Sequence, residues 1–594
     1  MRKPSNAATA LPLAVFLIVG ALLSPLAHAA DPPVRKIVSG WSPYWATRDS
    51  NASITANADL IDDVSPFWFS VKSSTQLLDQ YTPANSIPMA TQVATLHAAG
   101  VKVIPTFTDG TGKLTMAGIL ADPAQSAALI ATLTTSALVN NFDGIDLDFE
   151  GFAFSDGSAS WPTTQPNWTR FVGQLSASLH LQGKLLSVTT PELRDPATGK
   201  RGYWVYDWAG IASSIDRLRI MTYDYSVAFP GPIGPISWVE AAAKYAVSLI
   251  PASKVFIGIP AYGRDWVTSV TGTCPVRGSD GQALGVTIRA PQNGQSGSRA
   301  TFVANYAQTL AASYGATPTW NATYGENTFS YVKTYVGTNA SGASASCTAQ
   351  RTAWYQDARG VQLRAALVGK YRLGGIAFWA FGNEDPATWA QLRAYAKTIA
   401  PDQVNGTIAL SQPSVGYSSP SIITATFQIA DSTPVAGVPI SFQVLKDGDT
   451  TWNDIGTATT SVTGVAQIAL IASQNLQVRA LSPGSWQQLA ATTPSQQLKV
   501  ARLISVNAPP SIRQNSTLTI TGSVWPTDTG VGVVLQMNSL GKWLNVASAT
   551  SGDGGNFALS TTAPSPGLFA FRVAVSADSK LDGAMSRAFT ELVR

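Results

Sequence analysis

Residues 142–150 read Phe-Asp-Gly-Ile-Asp-Leu-Asp-Phe-Glu, and this stretch determines how the rest of the chain is interpreted. If it forms a strand, Asp146, Asp148 and Glu150 lie on one face and three large apolar side chains lie on the other. Three like charges at this spacing repel one another unless protons are shared or partners are supplied. Carboxylates held together in this way indicate a site that performs chemistry.

Eight short β-rich runs alternate with helix-like stretches before residue 400. The runs are 37–45, 64–71, 101–107, 142–150, 185–191, 218–223, 255–261 and 375–381. Alternation of this kind over residues 35–400 predicts a parallel (β/α)8 TIM barrel. A doubly wound open sheet is the alternative, but no Gly-rich phosphate loop follows the first run.

The C-terminal ends of the strands form the active face of such a barrel. Glu150 ends the fourth run, with Asp148 and Asp146 progressively deeper. We expect the other runs to bring aromatic and acidic side chains to the same rim: Tyr44, Trp45, Trp68, Asp109, Tyr223, Asp224, Tyr262 and Trp379. The result would be a cleft of aromatic faces around carboxylates, which suits stacking on sugar rings.

Depth along the fourth strand suggests different roles for the carboxylates. A carboxyl group beside a buried carboxylate has a raised pKa, which would keep Glu150 protonated near neutral pH as a general acid. Glycosidases ordinarily hold a second carboxylate about 5–10 Å away across the substrate, whereas neighbours on one strand lie on the same side. The nucleophile is then expected from the substrate, as a 2-acetamido group that attacks its own anomeric carbon.

The pattern Asp143-x-x-Asp146-x-Asp148-x-Glu150 resembles the signature of glycoside hydrolase family 18, the family of chitinases and related N-acetylglucosaminidases. Supporting matches are Met-Thr-Tyr-Asp at 221–224, Pro-Ala-Tyr-Gly at 260–263 and Gly-Gly-Ile-Ala-Phe-Trp at 374–379. The resemblance covers about residues 35–400. It departs at residues 40–45, Gly-Trp-Ser-Pro-Tyr-Trp, which are less tyrosine-rich than usual, and at Phe149, where Tyr is frequent.

The resemblance implies a catalytic set. Glu150 would protonate the glycosidic oxygen, and Asp148 would hold the acetamido N–H while its carbonyl closes an oxazolinium ring. Asp146 would share a proton with Asp148, and Tyr223 would hydrogen-bond the acetamido oxygen.

The same resemblance implies a substrate-binding set. Asp143 would support the strand from its start, Asp224 would contact the sugar, and Trp379 would form the floor of the reacting subsite. The full expected set is Asp143, Asp224, Trp379, Tyr44, Trp68 and Tyr262.

The connection between the seventh and eighth runs exceeds 100 residues and contains both cysteines, Cys274 and Cys347. It predicts an inserted subdomain at about residues 265–360. An exported chain would pair the two cysteines in a disulfide, with two free buried thiols as the alternative. Two cysteines without a neighbouring His or further Cys do not make a tetrahedral zinc site.

From residue 405 onward, short alternating strands broken by turn residues predict Ig-like β-sandwich domains at 405–500 and 501–594. The segments 452–459 and 543–550 are similar and begin 91 residues apart, which indicates an internal repeat. We expect Trp452 and Trp543, which begin these segments, to pack between the two sheets. A role as spacers or weak polysaccharide anchors is expected for the sandwiches.

Residues 1–29 have the pattern of a secretory signal: Met1-Arg2-Lys3, an apolar run at 11–23, and Ala27-His28-Ala29. We expect cleavage after Ala29, with a retained anchor as the alternative, and a secreted or cell-wall-associated product. Loss of Arg2 and Lys3 would lower the net charge from +4 to +2. With 12% charged residues and no basic run, the chain lacks the pattern of a nucleic-acid or membrane-surface binder.

The expected function is hydrolysis of β-1,4-linked N-acetylglucosamine polymers, with retention of configuration, by a monomer that uses no cofactor and no metal. Peptidoglycan or spore-cortex hydrolysis is the alternative within the family, favoured by residues 354–358 and 381–386. A chitin-binding lectin is the alternative in another class, although such proteins lose the acid that Glu150 supplies. A hard cation on the acidic strand is a further alternative. Both polymers carry 2-acetamido sugars, so the sequence leaves polymer choice and endo or exo action open.

Overall fold

A computed structural model describes residues 34–193, 202–292, 297–429, 432–563 and 565–594. The predicted export signal, residues 1–29, lies outside the described residues. The described chain divides into two compact units. One comprises residues 34–402 and 483–490, and the other comprises residues 403–482 and 491–594.

The first unit contains a closed barrel of eight parallel strands. Each strand pairs with the next, and β1 also pairs with β8, which closes the sheet. The strands are β1 Val38–Pro43, β2 Asp63–Ser73, β3 Thr106–Asp109, β4 Gly144–Asp148, β5 Leu185–Pro191, β6 Arg217–Met221, β7 Val255–Pro260 and β8 Gly375–Trp379. Lys102–Val103 also pairs in parallel with β2, and Gln76–Asp79 forms an antiparallel hairpin with it. The predicted TIM barrel is confirmed, and closure excludes the open sheet.

Alternation along β4 works as the sequence predicts. Ile145 and Leu147 are fully buried in the apolar layer outside the barrel, whereas Asp146 points inward and contacts side chains of other strands. Gly144, the first residue of β4, packs so closely on β5 that a side chain at this position would collide with the carbonyl oxygen of Leu185. The close approach sets the register that places Asp146 and Asp148 inside.

Helices surround the barrel, apart from Ala307–Ser313, which packs on the sheet inserted between β7 and β8. They are α1 Thr47–Ala56, α2 Met89–Ala98, α3 Thr115–Ala121, α4 Pro123–Val139, α5 Gly151–Phe154, α6 Trp161–His180, α7 Trp208–Ile211, α8 Ile236–Val247, α9 Ala307–Ser313, α10 Ala358–Tyr371 and α11 Ala387–Thr398. The start of α4 is typical: Asp122 accepts hydrogen bonds from the amides of Ala124 and Gln125, and Pro123 takes the first helical position. In the described ranges, no single helix is long and apolar enough to cross a membrane; α3 and α4 meet that test only together, across a 102° bend.

An antiparallel sheet is inserted between β7 and β8. Its strands are Tyr262–Gly272, Arg277–Gly278, Arg299–Val303, Thr319–Asn321, Glu326–Thr338 and Ser344–Tyr355. The disulfide between Cys274 and Cys347 lies in this region, with the two Cα atoms 4.6 Å apart, and confirms the predicted pairing. The insertion leads through α10 back into β8.

The second unit contains two β-sandwiches with the same strand order, which supports the internal repeat. The first has sheets Val404–Leu410, Pro420–Ile429, Val465–Ile471 and Ser414–Gly416, Gln496–Ala501, Leu476–Ser482, Pro439–Lys446, Asn453–Thr459, with Ala491–Thr492 at Leu476–Ser482. The second has sheets Leu503–Asn507, Thr517–Trp525, Asn556–Thr562 and Ser511–Ile512, Phe589–Val593, Gly567–Val575, Gly532–Ser539, Lys542–Thr550, with Ala584–Met585 at Gly567–Val575. Each sandwich has its own apolar core.

The repeated tryptophans do not belong to these cores, so the prediction that they pack between sheets is wrong. Trp452 and Trp543 are half-buried on the outer face of the larger sheet of each sandwich. The guanidinium of Arg479 lies 4.1 Å from the Trp452 ring, and that of Arg572 lies 4.4 Å from the Trp543 ring. Each repeated tryptophan thus makes a cation–π contact that reaches across the intervening strand of the sheet, in place of burial between the sheets.

Candidate active site

A cleft of about 650 Å³ opens at the C-terminal ends of the barrel strands. It brings together these predicted site residues: Asp148, Glu150, Tyr223, Asp224, Tyr262 and Trp379. Other residues of its wall include Trp41, Phe67, Phe154, Glu192, Tyr203 and Arg264, which sequence reasoning did not assign to the site. Segments far apart in the chain therefore converge on the mouth of β4.

Asp146 lies beneath the cleft and is fully buried. It accepts hydrogen bonds from Trp41 Nε1 (3.3 Å), Thr106 Oγ1 (2.9 Å), Ser187 Oγ (2.6 Å) and Thr189 Oγ1 (3.0 Å), which come from β1, β3 and β5. Arg219 Nη1, also fully buried, lies 3.4 Å from Asp146 Oδ1. These donors engage both oxygens of Asp146, and the described hydrogen bonds include none between Asp146 and Asp148. The predicted sharing of a proton between Asp146 and Asp148 therefore has no direct hydrogen bond behind it among the described residues.

Asp148 lies two residues further along β4, on the same face of the strand, and its surroundings differ from those of Asp146. Its side chain is buried, with 6% of the residue exposed, and its Oδ1 has no hydrogen-bond partner in the described structure. Burial raises the pKa of Asp148 well above its ordinary value, and the charges of Glu150 and Asp146 raise it further. An acceptor atom without a protein partner thus lies at the wall of the cleft.

Glu150 follows β4 and reaches the solvent-exposed mouth of the cleft. Desolvation by the cleft walls raises the pKa of its carboxyl group, and the charge of Asp224 adds to the rise. The backbone before it is fixed by Tyr206, whose buried hydroxyl donates to the Phe149 carbonyl oxygen at 2.7 Å. Glu150 therefore combines solvent access, a fixed backbone and a raised pKa, which a general acid requires.

Tyr223 and Asp224 lie at the end of β6, beside these carboxylates. Burial, followed by the neighbouring Tyr262 and Asp148, raises the pKa of Tyr223 well above its ordinary value, so its hydroxyl keeps a proton to donate. Asp224 has a left-handed backbone, φ 62°, and accepts a hydrogen bond from Tyr262. Arg264 forms an ion pair with it at 2.6 Å. The inserted sheet, which carries Tyr262 and Arg264, thus contributes directly to the cleft.

Two expected rim residues, Trp68 and Tyr44, lie outside the cleft wall, and the prediction that they face it is wrong. Trp68 is 1% exposed and packs 4.5 Å from the ring of Tyr81, while the preceding Phe67 faces the cleft. Tyr44 is half-buried behind Trp45, whose ring is 61% exposed at the cleft. Phe67 takes the position expected for Trp68, because adjacent side chains of a strand point to opposite faces. Tyr44 and Trp45 instead belong to the short 3-10 helix Tyr44–Ala46, and Trp45, also expected at the rim, lies at the cleft.

Asp143 lies at the start of β4, at the end of the barrel opposite Glu150. Its Oδ2 accepts a hydrogen bond from the Val103 amide at 2.7 Å and lies 2.9 Å from His97 Nε2. Asp143 therefore supports the start of the strand and is not among the residues of the cleft wall.

Trp379 contacts the cleft and packs edge-on against two aromatic rings, Phe67 at 5.1 Å and Trp41 at 5.8 Å. Its position at the end of β8 agrees with a floor for a sugar ring. Among the described residues of the cleft wall, the acids are Asp148, Glu150, Glu192 and Asp224, and the base is Arg264. Within the described ranges, no three His, Cys, Asp or Glu side chains are arranged to hold a metal ion.

Comparison with known proteins places this geometry among carbohydrate-active enzymes. The sequence model described as Glycosyl hydrolases family 18 matches residues 39–384. The chain is 26% identical over 267 residues to "Uncharacterized glycosylase YvbX" of Bacillus subtilis, covering 45% of this chain and 64% of that protein. It is 26% identical over 290 residues to "Cortical fragment-lytic enzyme" of the same organism, covering 48% and 56%.

Among solved structures, a chitinase from Chromobacterium violaceum aligns with 24% identity and a TM-score of 0.47, covering 60% of this chain and 98% of that one. The chain thus spans less than two thirds of the length of the two Bacillus relatives.

Proposed function

Because the chain belongs to glycosyl hydrolases family 18, we propose that it is an exported, retaining hydrolase of β-1,4-linked N-acetylglucosamine polymers. In the proposed reaction, the acetamido group of the substrate serves as the nucleophile. The observation that carries this proposal is Asp148 Oδ1, a buried acceptor without a hydrogen-bond partner among the described residues, two residues before an acid with a raised pKa. An acetamido N–H would supply the missing donor.

In the first step, Glu150 transfers its proton to the glycosidic oxygen as the bond from that oxygen to the anomeric carbon breaks. The acetamido carbonyl oxygen attacks the anomeric carbon and forms an oxazolinium ring, while Asp148 accepts the N–H and Tyr223 donates to the carbonyl oxygen. In the second step, the Glu150 carboxylate takes a proton from water, and the water oxygen attacks the anomeric carbon and opens the oxazolinium ring. Two inversions at one carbon give retention.

The other carboxylates of the cleft suit a nucleophile less well. Asp224 is engaged by Arg264 and Tyr262. Glu192 follows β5, the strand next to β4, so it approaches from the same side of the barrel as Glu150. A substitution of Glu192 with Gln is nevertheless the matched control, because a protein nucleophile at this position would make turnover depend on it.

Charge favours chitin among the polymers that carry 2-acetamido sugars. Among the described residues, four carboxylates and one guanidinium line the cleft. Peptidoglycan carries carboxylates on the peptide stems attached to alternate sugars, and like charges placed together oppose binding. Chitin is neutral, and the exposed rings of Trp45 and Phe154 offer faces for its sugars. Peptidoglycan remains the second candidate because of the similarity to the Bacillus cortical enzyme.

The deciding experiment is a product assay with chitin oligomers and purified peptidoglycan side by side, on wild type, Glu150→Gln and Glu192→Gln. Loss of the general acid should lower turnover by about 10²- to 10⁴-fold while binding is largely kept. A thiazoline mimic of the bound intermediate should inhibit wild type strongly.

Unchanged turnover in Glu150→Gln would contradict the assignment of the acid. Indifference to the thiazoline, with loss of turnover in Glu192→Gln, would replace the acetamido group with a protein nucleophile. Oligomer binding by a wild type that cleaves neither polymer would indicate a lectin.

A further inference from the structure

Glu326 is a fully buried carboxylate outside the cleft wall, at the first position of the inserted strand Glu326–Thr338. Its Oε2 accepts the amide of Ile233 at 2.7 Å, and its Oε1 accepts the amide of Gly234 at 2.8 Å. Gln356 Nε2 donates to Oε1 at 3.0 Å. Both oxygens of this residue of the insertion therefore hold backbone of the loop that leads from β6 to α8.

Arg364 balances the buried charge. Its guanidinium is fully buried, and Nη2 lies 3.2 Å from Glu326 Oε1. Nη1 donates to the carbonyl oxygens of Gly325 at 2.9 Å and Gly360 at 2.8 Å, and Nη2 donates to that of Gly234. Glu326 and Arg364 thus both bind the same loop residue: Glu326 accepts from the amide of Gly234, and Arg364 donates to its carbonyl oxygen.

Ile233 and Gly234 contact the backbone next to Tyr223 and Asp224, the site residues of that loop. Ile233 accepts the amide of Tyr225, the residue after Asp224, at 2.8 Å. Gly234 packs so closely on the carbonyl of Thr222, the residue before Tyr223, that a side chain at 234 would collide with it. Contacts of Ile233 and Gly234 therefore fix the backbone on both sides of the Tyr223–Asp224 pair.

We propose that Glu326 is a positioning residue, which holds this loop so that Tyr223 and Asp224 meet the sugar correctly. The inserted subdomain then governs catalysis as well as contributing to the wall. The proposal rests on the proposed function, since it assigns Tyr223 and Asp224 to the substrate.

The test uses Glu326→Gln and Glu326→Asp in the full chain. The Glu326→Gln variant keeps the size of the side chain but replaces one acceptor oxygen with an N–H donor that faces a backbone amide. The Glu326→Asp variant keeps the negative charge beside Arg364 but moves the carboxylate away from the amides. Loss of a hydrogen bond to a charged group corresponds to about a 10- to 100-fold fall in kcat/KM on chitin oligomers. The fall should appear in kcat as well as KM, because Tyr223 acts on the reacting acetamido group.

Asp265→Asn is the matched control. Asp265 is the acid of another buried ion pair of the inserted sheet, with Arg351, and accepts a hydrogen bond from Tyr331. It makes no bond to the loop among the described contacts. Its substitution should lower thermal stability as much as Glu326→Gln does, with kcat and KM within about twofold of wild type.

Hydrogen exchange of the amides of residues 225–234 gives a readout independent of activity. Exchange should accelerate in both Glu326 variants and stay unchanged in Asp265→Asn. Kinetic constants and loop exchange equal to those of the control would overturn the proposal, and if Glu326→Gln does not fold, Glu326→Asp decides. A wild type inactive on every 2-acetamido glycan would overturn the proposed function instead, while the exchange data would still decide whether Glu326 holds the loop.

Discussion

Substitution of Asp148 with Asn should make the protein more stable while abolishing its activity. The residue is buried, its Oδ1 has no hydrogen-bond partner among the described residues, and its pKa is raised well above the ordinary value by burial and by Glu150 and Asp146. Asn has nearly the same shape and carries no charge. The substitution therefore removes a destabilising ionisation without creating a cavity.

The size and the pH dependence of the gain follow from the same facts. A carboxyl group with a raised folded-state pKa binds its proton more tightly when folded, so stability falls as pH rises from the unfolded pKa, about 3.9, toward the folded value. At about pH 4 the carboxyl group is largely protonated in the folded state, so Asn gains little there. At about pH 8, relief of an unpartnered buried group should raise the free energy of unfolding by about 1–3 kcal/mol.

Thermal unfolding at the two pH values measures the effect. A gain of this size should raise Tm by about 2 °C or more near pH 8 in a domain of this size, and by much less near pH 4. Asp146→Asn is the matched control on the same strand, because it weakens an acceptor for several hydroxyls and for Arg219. It should destabilise by about 3–5 kcal/mol. An Asp148→Asn protein no more stable than wild type at pH 8, or equally stabilised at both pH values, would refute the reasoning.

Three further substitutions test other parts of the site. Asp224→Asn should move the alkaline limb of the kcat profile to lower pH, because the Asp224 charge helps to raise the pKa of Glu150, which must stay protonated; an unmoved limb would contradict this. Tyr206→Phe removes the hydrogen bond to the carbonyl of Phe149 and should lower kcat by about 2- to 10-fold, measured with KM unchanged. Arg219→Met leaves buried carboxylates without their cation and should lower the free energy of unfolding in urea by about 3–5 kcal/mol; a loss below about 1 kcal/mol would contradict the ion-pair network.

The barrel and the position of Glu150 could be predicted because their signals are local. Alternation along residues 142–150 places charges and apolar groups on opposite faces, and each strand of the barrel carries its own apolar run. The position of Glu150 follows from the same period-two rule, since it ends the fourth of eight strands. These features need no knowledge of what lies across the barrel.

The lateral walls of the cleft could not be predicted equally well, because they depend on register to a single residue. A slip of one position exchanges the two faces of a strand, which is why Phe67 occupies the place expected for Trp68. Arg264 belongs to the inserted sheet, and no local pattern reveals that it meets Asp224. Contacts between distant segments of this kind are decided by packing.

Asp146 and Asp148 show how one fold gives two equal side chains different chemistry. The hydroxyls of Thr106, Ser187 and Thr189 all reach Asp146, which leaves the next carboxylate along the strand without a described donor for its Oδ1. An enzyme built for stability alone would supply one. A substrate that brings its own N–H completes the network, so binding of an acetamido sugar should stabilise the barrel more than binding of the same sugar without the acetamido group. Under the proposed function, the destabilised state of Asp148 is the physical basis for selecting 2-acetamido substrates.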